Sequence, residues 1–451
     1  MKFVGRSKLT FLKALSSNSS NAALNFLPMK SRVFGVVLLL LAMSFSKADL
    51  VAPGIQLFEK TLELLDTNYY GYSSFNLKNL RDQFQPQLDK ACKNLDPCPF
   101  ASADDVVTNL ISSLNDPHTY RLNVEQTKAR DREFAGQSLL TTSIGVRLTS
   151  LPDADVLLVK SVLQGSSADK AGLKRGDRIY KFGDFKTSQF QTETQALNAF
   201  KALEGENKAF KIRVASPDAA TRTLEVTPTN LPPWNPQLEW RGNVAIITVF
   251  QFKAGGQVAS KIHALVRQAQ KNQARAIVLD VRDSAGGLVT EMLASVGAFL
   301  EHPVLLDEFR WGKLKFEFLN GKFMQTENDN SVTTVPLVAQ PTLWTGKLAV
   351  LTNGIAKSAP EYLAYMLQKN SRAKVYGTPT LGALDTSNSF FNLPDGSSMA
   401  ISLGRAQNAD GTKFPLRVTP DQIVPDDMLA LSLGRDVILE TALRSLEDVG
   451  N

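Results

Sequence analysis

The stretch Ala276-Ile277-Val278-Leu279-Asp280-Val281-Arg282-Asp283-Ser284-Ala285-Gly286-Gly287 decides the fold class. Six nearly continuous apolar positions are too regular for a half-solvated strand and fit one buried on both faces. The small-residue turn that follows opens a helix read through about Leu300. The design recurs at Leu348-Ala349-Val350-Leu351, followed by Asn353-Gly354-Ile355-Ala356-Lys357-Ser358-Ala359-Pro360-Glu361 and a helix over 359–368. Before both lie an apolar strand over 244–250 and an amphipathic helix over 257–270. Strand and helix alternate, so the carboxy-terminal half is read as an α/β core in an α/β (α+β) multidomain chain.

Upstream the periodicity changes. Leu57, Leu62, Leu64 and Leu65, then Val106, Val107, Leu110, Ile111 and Leu114, recur at helical spacing, predicting a helical region over 49–135. Residues 136–229 alternate instead. Strands are expected at Ile144–Leu148, Val156–Val159 and Phe210–Val214, with a helix over 192–203 and turns at Gly172 and Gly176-Asp177. The Pro-rich run 231–236 reads as a linker into a region over 230–451.

The chain has 451 residues, 43% hydrophobic and 21% charged, the composition of a folded multidomain protein. Its net charge of +6 points away from nucleic acid once located. Seven of the 50 basic residues and none of the acidic ones fall in 1–48, leaving 43 basic residues against 44 acidic in the remainder. Residues 1–48 read as a leader. Lys30 and Arg32 precede eleven apolar residues, Val33 to Met43, and Ser46-Lys47-Ala48 suits cleavage after Ala48. Such a run spans only ~16 Å as a helix, about half a bilayer core, so a permanent membrane span is not expected. The expectation is export to a periplasm, cell envelope or extracellular space, with Met29 as an alternative start. The acid-free residues 1–28 leave a second address open, a plastid transit peptide stacked on a thylakoid-lumen signal. An exported chain meets oxidising conditions, and the Asp96-Pro97 turn favours a local Cys92–Cys98 disulfide over two separate thiols or a metal site.

Candidate chemistry begins at the strand ends. Turns that open helices present backbone N–H groups able to stabilise negative charge. Ser358 starts such a helix, either as a nucleophile or as a plain cap. Of three histidines, His263 sits inside a helix and is expected at its surface or core edge. His302 is expected at a helix C-terminus. His118 lies in the turn Asp116-Pro117-His118-Thr119, where a loop can aim it elsewhere.

Together these segments resemble the carboxy-terminal processing (tail-specific) serine proteases. Leu114-Asn115-Asp116-Pro117-His118-Thr119, the module from Ile144-Gly145-Val146 to Gly176-Asp177, Leu279–Gly287 and Asn353-Gly354…Ser358-Ala359-Pro360-Glu361 occur in that family's order. So do Gly377-Thr378-Pro379-Thr380-Leu381-Gly382, Leu393-Pro394-Asp395-Gly396 and Thr419-Pro420-Asp421. The resemblance covers roughly residues 50–430. It implies a crotonase-like ββα-spiral protease core with an inserted PDZ domain and an N-terminal helical region. It places the nucleophile on Ser358 and oxyanion donors on the N–H groups of Ala359, Gly286 and Gly287. In the PDZ module, Ser143, Ile144, Gly145 and Val146 would offer N–H groups to the carboxylate of a C-terminal tail added as a strand, with Gly145 allowing its backbone close.

One departure matters. The base lysine of the tail-specific branch is replaced by Ala383, while His118 stands where that branch carries tyrosine. A branch resembling the tricorn core protease uses a histidine from this segment, which implies His118 as base and later acid. Lys357, adjacent to Ser358, is expected to diverge from it. Asp116 or Glu361 is the candidate third group. The expected activity is serine endopeptidase action on proteins or peptides, with no cofactor, metal or nucleic acid. The rivals are an inactive protease-like peptide receptor and an apolar-ligand carrier on the same fold.

Overall fold

The computed structural model describes residues 51–134, 140–151, 154–217, 219–253, 257–328 and 331–447. The leader, with its cleavage and targeting readings, lies outside the described residues, as does the 135/136 boundary.

The apolar strand Ala276–Asp280 is buried along its whole length. It sits centrally in a six-stranded sheet ordered Gln237–Arg241, Val244–Thr248, Ala276–Asp280, Lys347–Thr352, Lys374–Gly377, Gln422–Ile423. All pairings after the first are parallel. Helices Gln257–Lys271, Val289–Val296 and Ala359–Lys369 cover one face, and Val437–Glu447 covers the other. Both faces are therefore apolar, which is why these strands read as continuous hydrophobic runs. The helix after Gly287 ends at Val296, short of Leu300. Gly297 follows it with helical backbone angles, and the Phe318 ring fills the space where a Cβ there would go.

A second sheet has seven strands, with a meander from Val304 to Pro336 flanking the long strand Ser398–Gln407. The amino-terminal helices Pro53–Asn68, Leu77–Ala91 and Phe100–Ser112 bury their apolar faces against this sheet, sharing a core with Leu393, Met399 and Ile401. Tyr120–Leu122 adds to it as a strand, antiparallel to residues 398–400. The helical segment is thus joined to the core region by a common interior. Cys92 and Cys98 form the expected disulfide.

Between these in sequence lies an antiparallel sheet of Val146–Leu151, Ala154–Val162, Arg178–Phe182, Phe210–Ala215 and Arg222–Val226, closed by helix Glu193–Gly205, whose Phe200 packs on Phe182 at 5.1 Å. The Pro-rich run after Leu231 is a packed seam rather than a loose linker. Trp234 stacks edge-on against Phe250 at 4.8 Å, and the Arg147 guanidinium covers both rings.

Candidate active site

Two parallel strands, Ala276–Asp280 and Lys347–Thr352, end side by side, so their turns meet. Asn353 stitches them: its Oδ1 accepts from Asp283 N at 3.0 Å and its Nδ2 donates to Asp283 Oδ1 at 2.8 Å. Lys357 N donates to Ser284 O. Arg282 braces the first turn against Asp280 and Asp436, an ion-pair cluster that holds the Asp436 carboxyl well below the usual carboxylate range.

Ser358 caps helix Ala359–Lys369 with φ 65° and ψ −117°, a conformation costing a non-glycine residue about 1–3 kcal/mol. What holds it there is Glu361. Its Oε2 accepts from Ser358 N (2.7 Å) and Ala383 N (2.9 Å), and its Oε1 from Thr380 Oγ1 (2.6 Å) and Gly382 N (2.9 Å). Burial raises the carboxyl's pKa, opposed by those four donors. With every acceptor position facing a donor, Glu361 braces the turn, and among the described residues it makes no hydrogen bond to His118.

Gly286 lies against the serine. A Cβ on it would sit 3.0 Å from Lys357 O and 3.3 Å from Ser358 Cβ, at φ +92°. Gly287 faces the other way, with its would-be Cβ 2.3 Å from the Phe252 backbone. Of the pair, Gly286 borders Ser358, while Gly287 admits the Phe252 backbone. Ser358 N–H is spent on Glu361, whereas Ala359 N–H begins a helix and has no residue four positions back to accept it.

The loop 116–118 comes to this turn across 240 positions of sequence. Lys357 Nζ donates to Pro117 O at 2.7 Å and lies 4.7 Å from the Tyr120 ring centroid. Lys357 therefore turns away toward the loop, as expected of a neighbour to Ser358. His118 is 3% exposed. Its Nδ1 pairs with Thr386 Oγ1 at 2.9 Å, its N–H donates to Asp116 Oδ1, and its carbonyl accepts from Asn388 Nδ2. Asp116 thus serves the His118 backbone, not its ring. Among the described residues the ring makes no hydrogen bond to Ser358, and Nε2 has no hydrogen-bonded partner. Burial, reinforced by the Lys357 charge, lowers the imidazole pKa to about 4, so it is neutral at neutral pH.

Thr386, which orients His118, gave no signal in sequence: a strand threonine is ordinary. Asp385 beside it is another unread residue, its carboxyl raised to about 6 by burial and by Asp116 and Glu361. The other histidines take different places. His263 is fully buried, with Nδ1 accepting from Thr342 N and Nε2–H donating to Ala294 O, because its helix packs inward on that side. His302 is exposed beside Glu317, beyond any helix end.

The PDZ-like sheet reaches the first turn directly. Lys160 Nζ pairs with Asp283 Oδ1 at 2.6 Å, and Arg147 donates to Asp283 O at 3.1 Å. In its loop, Ile144 N and Ser143 Oγ both donate to Glu204 Oε1 at 2.8 Å, and Gly145 N donates to Ser143 Oγ at 2.9 Å. Gly145 is required by Ser166, 2.4 Å from a would-be Cβ. The close approach there is the protein's own.

Among the described residues no cluster of three or more His, Cys, Asp or Glu could hold a metal ion. No helix among them is long and apolar enough to cross a membrane.

Similarity to known proteins spans both the strand–helix region and the PDZ-like sheet. Residues 243–424 match the profile of peptidase family S41, and residues 137–212 that of the PDZ domain. A carboxyl-terminal-processing protease of Picosynechococcus sp. is 27% identical over 339 residues, covering 73% of this chain and 75% of its own length. Carboxyl-terminal-processing peptidase 2, chloroplastic, of Arabidopsis thaliana is 28% identical over 332 residues, 71% of this chain and 60% of its own. A probable CtpA-like serine protease of Staphylococcus aureus is 22% identical over 276 residues, 61% and 50% respectively. Among solved structures, a photosystem II D1 C-terminal processing protease superposes with TM-score 0.47 at 19% identity, over 85% of this chain and 98% of that one.

Proposed function

We propose, for a chain that belongs to the S41 peptidase family and carries a PDZ domain, that Ser358 and His118 form the catalytic pair of a serine endopeptidase. The observation that carries this reading is the contact of Lys357 with Pro117 O. It anchors the His118 loop to the residue next to Ser358.

The chemistry follows from the groups at hand. In the tautomer whose Nδ1–H donates to Thr386 Oγ1, Nε2 is the free lone pair that the reaction needs. On substrate binding, Nε2 takes the Ser358 proton as Oγ attacks the scissile carbonyl. The N–H groups of Ala359 and Gly286 hold the oxyanion, and His118 returns the proton to the leaving amine. A peptide adds as a strand beside Val146–Leu151. The carboxyl-terminal-processing relatives support action near protein C-termini, and the leader supports delivery to an envelope or lumen compartment.

The inactive-receptor reading rests on Ala383, whose N–H serves Glu361 in place of any lysine chemistry. Hydrolysis of a fluorogenic peptide separates the two. Activity abolished by Ser358→Ala and lowered ~10²–10⁴-fold by His118→Ala supports the pair. No hydrolysis by the native chain leaves the receptor.

A further inference from the structure

The carboxylate of Glu204 occupies the loop that a PDZ ligand's terminal carboxylate would need. Glu204 sits in the last turn of helix Glu193–Gly205, where the helix dipole disfavours an anion. It is buried, its pKa is raised by that burial, and it forms no ion pair among the described residues. Neither helix preference nor a salt bridge accounts for its position. Its two hydrogen-bonding partners do: Ile144 N and Ser143 Oγ, the latter also engaging Gly145 N. The far end of the strand that follows, Val146–Leu151, is bound similarly, with Glu193 Oε1 accepting from Thr149 Oγ1 at 2.8 Å and Ser150 N at 3.1 Å. Helix carboxylates thus bracket the edge to which a peptide would add.

We infer that Glu204 is a built-in competitor for the terminal carboxylate, so that a protein tail binds the PDZ module only by displacing it from Ser143 and Ile144. Two carboxylates cannot share these donors without repulsion in a buried site. Residues 205–209, next to Glu204, are exposed, which gives the side chain a route to water. Tail affinity is then the intrinsic affinity reduced by the fraction of molecules whose loop is open. The inference rests on the reading that the PDZ module recruits tails, and its test does not depend on hydrolysis.

The test uses the full chain carrying Ser358→Ala, with a fluorescent apolar nonapeptide as free acid and as C-terminal amide, read by anisotropy. The Glu204 chain should bind the two forms within a few-fold of each other. Glu204→Ala and Glu204→Gln should each bind the acid about tenfold or more tighter, with amide binding unchanged. Glu204→Gln keeps an acceptor for Ile144 N, so it carries the test if the alanine variant is unfolded. The inference is overturned if acid affinity is unchanged or falls in the folded variants, or if the Glu204 chain already favours the acid tenfold. Absence of binding by every variant overturns it too. That outcome removes tail recruitment as well, while peptide hydrolysis by the Ser358 chain separately reports whether the catalytic reading survives.

Discussion

Replacing Glu361 by glutamine tests whether this carboxylate is a brace or a relay. Each oxygen accepts two hydrogen bonds, one pair from Thr380 Oγ1 and Gly382 N, the other from Ser358 N and Ala383 N. Turned toward Ser358 N and Ala383 N, the amide NH₂ faces two donors; turned the other way it faces Gly382 N, while the Thr380 hydroxyl can rotate to accept from it. At about 1–3 kcal/mol for each buried donor left unmade, the loss in the better orientation is ~1–3 kcal/mol. Removing a buried charge offsets part of this, since burial already works against the ionised form. The expected net cost is ~1–2 kcal/mol, read as a fall of roughly 2–8 °C in Tm at about 2–4 °C per kcal/mol. Because Ser358 holds a strained φ through one of these bonds, kcat should fall with it. The pH at which activity is lost on the acid side should stay fixed, since among the described residues His118 makes no hydrogen bond to Glu361. Scanning fluorimetry together with a pH–rate profile checks both. A Tm within 1 °C of native, or an acid limb that moves in Glu361→Gln, refutes the brace.

Other outcomes follow from the same geometry. Gly286→Ala should lower kcat ~10²–10³-fold with little change in KM, because a Cβ at φ +92° presses on Lys357 O and Ser358 and displaces an oxyanion donor; steady-state kinetics reads the split. The His118 pKa of about 4 places the acid limb of kcat/KM near pH 4 rather than 6.5. The unfolded chain takes up a proton at His118 that the folded one refuses, so stability falls as pH drops from about 6.5 toward 4, by up to ~3 kcal/mol. Denaturant titration at stepped pH should show that slope diminished in His118→Gln. Opening the Cys92–Cys98 bridge by a double serine substitution should cost the helical segment ~2 kcal/mol, the loop being short, and calorimetry should show it.

What the sequence discloses and what it conceals divide along physical lines. Buried parallel strands are hydrophobic on both faces, so Ala276–Val281 and Leu348–Leu351 announce themselves, and the glycines and Ser358 at their ends come with them. Leu314, Phe316 and Phe318 carry a period-two signal, and all three are buried on one face of the strand Gly312–Leu319. Long-range partnerships leave no local trace. His263 lies on a helix whose pattern gives a direction inward but not which polar residues find carbonyls there. Glu204 looks like any charged residue near a helix end, and Glu361 like a first-turn cap. Their roles appear only when loops from 144 and 380 fold onto them. Gly145 was read for a ligand and is needed by Ser166, because a glycine marks close approach without saying whose.

The central claim is that the Ser358 hydroxyl is activated by an imidazole brought from position 118. The direct measurement is the rate at which a fluorophosphonate acylates the protein, with the modified peptide located by mass spectrometry. The account predicts a single adduct on the peptide containing Ser358, none in Ser358→Ala, formation slowed at least ~10²-fold in His118→Ala, and a smaller slowing in Lys357→Met, which removes only the anchor of the loop. An adduct that persists in Ser358→Ala, or a His118→Ala protein labelled at the native rate, would contradict it.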